Sequence, residues 1–367
     1  MSRLLVLIVL MLLMWLPMVQ MLTGLPRQFV AVDENRKLAP KPVLRSWENM
    51  HQYTGDAVKW FNDHFGFRDF LIRSKTQIDY SVFGMSSRVH VGSDGWLFYR
   101  SVMDVQKPQI ELTLRKDADA IIEGTRKLAT DLSARGVKLV IIVAPMKDVY
   151  YSVHLPNTAK KLPDPRQVEL LQDRFRAMKE IIFIDSEAIL KETAKQRTVF
   201  HKTDFHWNDP AAFEVARTLV NEIGKFENLP SPVWEHKLEI EEQPLSGGEA
   251  SFMPIFFPPT EKALFVKRNW VEPAYNYVEK KFPFEWVYDI KEPTGHELPP
   301  IAILGDSFFD GMLRSGTLIY FKKAYSANWN NANLREVVGN LPADIRYLFL
   351  EFIEVESRAY TGLALER

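Results

Sequence analysis

The chain has 367 residues, enough for two or three domains or for one enlarged α/β domain. Its 46 Lys and Arg against 47 Asp and Glu leave a net charge of -1, which disfavours a main role in binding nucleic acid or another polyanion. With no cysteine it has no disulfide, thiolate metal site, iron–sulfur cluster or cysteine nucleophile.

Leu4 to Leu25 carry no charge, and as a helix this stretch is about 33 Å long, enough to span a bilayer. Residues 1–25 therefore read as a membrane anchor, with Arg3 ahead of it, Pro17 as a point of bending and no small-x-small cleavage site behind it. Arg27, Arg36, Lys37, Lys41 and Arg45 outnumber the cationic groups before the helix, so charge bias gives no orientation. The lack of further apolar spans and of cysteine points instead to an exported body. Residues 26–46 read as a linker and 47–367 as the body.

Within the body, Phe61, Phe65, Phe67, Phe70, Leu71 and Ile78 mark a first helix laid on the globular part. Ser93 to Tyr99 (SDGWLFY) reads as a turn into an aromatic strand, and Arg115 to Arg135 as a helix stopped by Gly136. Lys138 to Ala144 (KLVIIVA) is a β-branched run suited to a strand buried on both faces. The rhythm repeats: strand at Ile181 to Asp185, helix at Glu187 to Lys195, strand at Ile301 to Leu304, helix from Ser307 and strand at Arg346 to Phe352. The expected fold is α/β, a parallel sheet flanked by helices, with an insertion of short strands at about 228–300.

Strand 301–304 runs into Gly305-Asp306-Ser307, which places Ser307 at the carboxyl end of a parallel strand, where open α/β sheets bind ligands. Backbone N–H groups there suit a developing oxyanion, although Asp306 and Ser307 are equally good helix caps. A serine needs a base and a carboxylate that orients it, and Asp204-Phe205-His206 supplies both. Asp209 reads as an N-cap and Pro210 as the first residue of the helix that follows. His201, Asp204 and His206 also contain metal-ligand types, but their spacing matches no strong metal signature, so no metal is expected. No Gly-rich phosphate loop or dinucleotide fingerprint is present, and no cofactor is expected.

Gly305-Asp306-Ser307-Phe308 resembles the GDS block of the SGNH (GDSL) esterase and acetyltransferase superfamily. Asp204-Phe205-His206-Trp207 resembles the D-x-H-W block of its alginate-acetylation branch, the AlgJ and AlgX type, which places this block before the serine. Asn62 to Asp69 (NDHFGFRD) and Asp94 to Tyr99 (DGWLFY) are similar to segments near the start of AlgJ-like domains.

The resemblance implies Ser307 as nucleophile, His206 as general base and Asp204 as its orienter. Ser307 and Asn328 are the oxyanion candidates, with Asn330 beside them, and Trp207 and Trp329 are candidate sugar platforms. It further implies O-acetyl transfer to an exported polysaccharide through an acetyl-serine. The domain would stand in the periplasm on an inner-membrane anchor, next to an AlgI-like acyltransferase of the MBOAT class as acetyl donor. A carbohydrate acetyl esterase and a non-catalytic scaffold of an exopolysaccharide assembly are the competing readings.

Overall fold

The computed structural model describes residues 2–24, 37–44, 46–160, 163–279 and 282–365. They fall into two compact units, residues 1–86 with 251–258, and residues 87–250 with 259–367. The first unit holds α1 (Ser2–Thr23), α2 (Met50–His64) and α3 (Arg68–Phe83). Within α1, Leu4–Thr23 has a mean hydropathy of 2.5 and is long and apolar enough to cross a membrane. Most of the linker expected over 26–46, including Arg27, Arg36 and Arg45, lies outside the described residues, as does Leu25. The first helix of the body is in fact two: α2 stops at His64, Phe65 turns to an extended ψ of 133°, and Phe67 takes a left-handed φ of 58° before α3 begins.

The second unit opens with the hairpin of β1 (Val89–Val91) and β2 (Leu97–Tyr99), then α4 (Lys107–Ala134) and β3 (Lys138–Ala144). Gly136, with φ of 74°, makes the left-handed exit from α4 for which glycine is suited. Next come α5 (Asp148–Tyr151), α6 (Gln167–Ala177), β4 (Ile181–Ile184), α7 (Ser186–Thr193) and α8 (Asp209–Phe226). A middle stretch contributes β5 (Ile240–Leu245), α9 (Gly248–Ser251), β6 (Glu261–Val266), β7 (Tyr275–Glu279) and β8 (Trp286–Ile290). The chain then forms β9 (Ile301–Gly305), α10 (Phe309–Arg314), β10 (Lys323–Asn328), α11 (Leu334–Gly339), β11 (Tyr347–Ile353) and α12 (Ser357–Leu365).

Seven strands make the main sheet in the order β4-β3-β11-β9-β10-β8-β7. Pairing is parallel from β4 through β10, and β8 and β7 extend that edge antiparallel. The parallel sheet read from the sequence is the part from β4 to β10, and two antiparallel strands are added at one edge. Strands β3, β9 and β11 are buried along nearly their whole length, as their unbroken apolar runs require. Two helical groups pack around it, α4 with α6 and α12, and α8 with α7 and α10. The region at 228–300 is only partly an insertion: β5 and β6 pair with each other, whereas β7 and β8 belong to the main sheet.

Candidate active site

Ser307 stands two residues beyond β9 and is exposed, while the residues of β9 itself are buried. The helix expected from Ser307 onward is α10, which begins two residues later and has only six residues, so its dipole is small. The turn is held instead by Asp306. Its Oδ1 accepts the Phe308 N–H at 2.8 Å and its Oδ2 accepts the Ile353 N–H at 2.7 Å, tying the turn to the end of β11. Behind it Glu351, fully buried in β11, accepts the Asp306 N–H at 3.1 Å.

Burial pushes the Asp306 carboxyl up to about 6, although the Phe308 and Ile353 N–H groups oppose the rise. Burial, with the nearby Asp306 second, holds Glu351 protonated well above the usual carboxylate range. Both acids bind protons more tightly folded than unfolded. Asp306 therefore contributes stability that is full below its ordinary 3.8 and lost as pH rises through about 6. Glu351 adds a loss at higher pH. We expect thermal stability to fall as pH rises from about 4 through about 6, and Glu351→Gln, which keeps the neutral shape, to remove the further loss above that range in melting scans.

The loop 200–207 reaches this turn from the other side. A bridge between Phe200 and Trp207 closes it, and Thr203 is fixed through its N–H and hydroxyl to Glu261, at 2.7 and 2.8 Å. Asp204 Oδ1 accepts the His206 backbone N–H at 3.0 Å and the His206 Nδ1–H at 2.6 Å. Its Oδ2 accepts the Gly248 N–H at 2.5 Å. A carboxylate only accepts, so the imidazole proton sits on Nδ1 and leaves Nε2 free to accept the Ser307 hydroxyl at 2.7 Å. Burial opposes ionisation of Asp204, but the hydrogen bond and charge of His206, with the two backbone donors, hold its carboxyl well below the ordinary range. Asp204, His206 and Ser307 thus stand in one hydrogen-bonded series.

The tryptophans expected to stack on sugar are buried. Trp207 donates its indole N–H to the Phe308 carbonyl at 2.9 Å, and Trp329 donates to the Glu351 carbonyl at 2.8 Å. Each uses its polar handle inside the protein, so neither offers a face to a ligand. Asn328 is the last residue of β10, opposite Gly305 in register, and its Oδ1 accepts the Asn330 N–H at 2.8 Å. The Asn330 Oδ1 accepts from the Arg358 guanidinium at 3.1 Å. The cap of α8 is Asn208, whose Oδ1 accepts the Ala211 N–H at 3.0 Å, while Asp209 is clasped by Arg314 of α10 at 2.8 Å. His201 is buried beside the Phe265 ring, and burial lowers its pKa. Among the described residues no His, Asp and Glu cluster fit for a metal is found.

Lys147, just beyond β3, escaped sequence reading. Its buried ammonium donates to the carbonyls of His201, Lys202 and Asp204 at 3.4, 3.2 and 3.0 Å and pairs with the buried Glu249 carboxylate. Trp96 and Phe98 of the DGWLFY segment wall it, their ring centroids 6.0 and 5.4 Å from Nζ. Lys147 thereby joins the loop bearing Asp204 to the one bearing Gly248. At Gly247 a Cβ would lie 2.4 Å from that of Asp204, so the second loop has room only for glycine. Lys147→Met leaves Glu249 buried and unpaired and is expected to cost about 3–5 kcal/mol in denaturant titrations. Adding Glu249→Gln should recover part of that loss.

Residues 89–261 match the family model described as an SGNH hydrolase-like domain of the acetyltransferase AlgX. That segment, just under half of the chain, is similar to the SGNH hydrolase-like domain of AlgX-type acetyltransferases. The matched span of the SGNH-like domain holds Asp204 and His206 and stops before Ser307, which the fold of β9 supplies. A probable alginate O-acetylase AlgJ of Pseudomonas aeruginosa is 31% identical over 183 residues. That match covers 48% of this chain and 44% of the relative, so the chain spans under half the length of that relative. Among solved structures, the O-acetyltransferase domain of Pseudomonas putida AlgJ has a TM-score of 0.49 at 18% identity and covers 76% of this chain and 99% of its own. Pseudomonas aeruginosa AlgX has a TM-score of 0.40 at 14% identity and covers 80% of this chain and 68% of its own.

Proposed function

We propose that the chain is a membrane-anchored O-acetyltransferase that esterifies hydroxyls of an exported, alginate-like polysaccharide through an acetyl-Ser307 intermediate. The observation that carries this reading is the series from Asp204 through His206 to the exposed Ser307 hydroxyl. The Ser307 Oγ attacks the donor's acetyl carbonyl as its proton passes to His206 Nε2, and the imidazolium returns that proton to the leaving group. A polysaccharide hydroxyl then gives its proton to His206, attacks the acetyl-serine and departs as the acetyl ester, while His206 returns the proton to the Ser307 Oγ. The Ser307 N–H and the Asn328 amide are the proposed oxyanion donors. No metal or cofactor enters either step.

Acetyl-CoA is cytoplasmic, so a periplasmic site needs a membrane protein that passes acetyl groups outward, in our reading an AlgI-like acyltransferase of the MBOAT class. Residues 4–23 would hold the domain near that donor and raise its effective concentration. Burial of Trp207 and Trp329 favours a second reading, acetyl-ester hydrolysis, since it removes the expected platforms for a sugar acceptor. Deleting the gene separates the two: loss of polymer acetylation supports transfer, whereas a rise supports hydrolysis. Unchanged acetylation rejects both.

A further inference from the structure

The break between α2 and α3 is held against the apolar helix α1. A Cβ added at Gly66 would lie 1.7 Å from the Pro17 carbonyl oxygen, so the two backbones touch where only glycine fits. The next N–H, that of Phe67, donates to Gln20 Oε1 at 3.1 Å. Gln20 is buried although α1 is otherwise largely exposed, so the one amide in the apolar helix has a partner at this elbow.

These contacts set a depth. Leu4–Thr23 is about 30 Å long, close to the thickness of the hydrocarbon core. Pro17 and Gln20 lie six and three residues before its end at Thr23, or about 9 and 4.5 Å along the axis. A polypeptide turn fastened there cannot stay in water if α1 spans the membrane. The side chains around the elbow suit the headgroup and acyl boundary. Phe61, Phe70 and Leu71, each within five residues of Gly66, are roughly half exposed, and α2 and α3 contain no buried residue. Trp60, the type of ring that gathers at such boundaries, stacks on His64 at 5.3 Å. Charges near the elbow have local partners: Arg68 donates to the Asn62 carbonyl at 2.9 Å, and Asp63 accepts the Ala39 N–H at 2.8 Å.

We propose that the α2–α3 elbow is a second membrane contact, a wedge of Phe61, Phe70 and Leu71 seated in the leaflet at the Thr23 end of α1. The inference rests on the anchor reading of α1, and its test separates the two. Because the chain has no cysteine, single cysteines introduced as Phe61→Cys, Phe70→Cys, Leu71→Cys, Leu10→Cys and Val153→Cys can each carry an environment-sensitive fluorophore in the full chain. The labelled proteins are reconstituted in vesicles of phosphatidylethanolamine and phosphatidylglycerol. Positions 61, 70 and 71 should show blue-shifted emission, quenching by shallow spin-labelled lipid and loss of quenching by aqueous iodide. Leu10 should respond to deep spin labels, and the exposed Val153 to iodide alone. Iodide quenching at 61, 70 and 71 equal to that at 153, with Leu10 still protected, overturns the wedge and leaves the anchor standing. Iodide access at Leu10 overturns the anchor and the wedge with it.

Discussion

Ser307→Ala is expected to lower turnover of a chromogenic acetyl ester by about 10⁴-fold or more while the fold survives. The side chain is exposed beyond β9 and packs no core, so a methyl in place of the hydroxyl leaves Asp306, Phe308 and Trp207 in their contacts. What disappears is the group that hydrogen-bonds His206 Nε2 and that we assign the acetyl group. Mass spectrometry after rapid quenching should find an added acetyl on the peptide containing Ser307 in the parent protein and none in the variant. A folded Ser307→Ala protein with near-parental turnover would reject the nucleophile assignment.

Asp204→Asn should cost nearly as much, about 10⁴-fold, through the tautomer of a ring it leaves in place. The parent carboxylate receives donors on both oxygens, two from His206 and one from Gly248. An amide cannot repeat that pattern. If its oxygen faces His206, its NH₂ meets the Gly248 N–H, donor against donor. If it turns round, its NH₂ faces Nδ1, the ring proton moves to Nε2, and the Ser307 proton has no acceptor. Ester turnover and the ¹⁵N shifts of the His206 ring report the two outcomes separately. Turnover within about tenfold of the parent, with the Nδ1 proton retained, would remove Asp204 from the mechanism.

Much of the site was legible because its signals are local. The run from Lys138 to Ala144 is continuous and β-branched, and its strand has the same bounds in the structure. The Asp204 and His206 pair and the serine after strand 301–305 could be read because each chemical group sits next to the turn that presents it. Features that failed to show depend on partners far away in sequence. Nothing local distinguishes the buried Lys147 from a solvated lysine, since its carboxylate partner Glu249 is 102 residues distant. Trp207 and Trp329 serve equally well as ligand platforms or core rings, and only carbonyls contributed by Phe308 and Glu351 decide it. Strand β7 could not be read from the sequence because its residues Tyr275 to Val278 are exposed and it draws its order from pairing with β8.

The position of β11 also governs when the site can come into being. Late in the chain as it is, β11 lies between β3 and β9, and those two strands have no ladder to each other without it. The Ile353 N–H at its end donates to the Asp306 carboxylate that shapes the serine turn. The loop with Asp204 and His206 and the turn with Ser307 can therefore be complete in themselves and still be unassembled until residues 347–353 arrive. Such long-range closure is slow compared with local structure formation. A chain threaded through a membrane from its amino end would carry no competent serine during passage, and its reactivity would switch on only after its last strand had crossed and inserted.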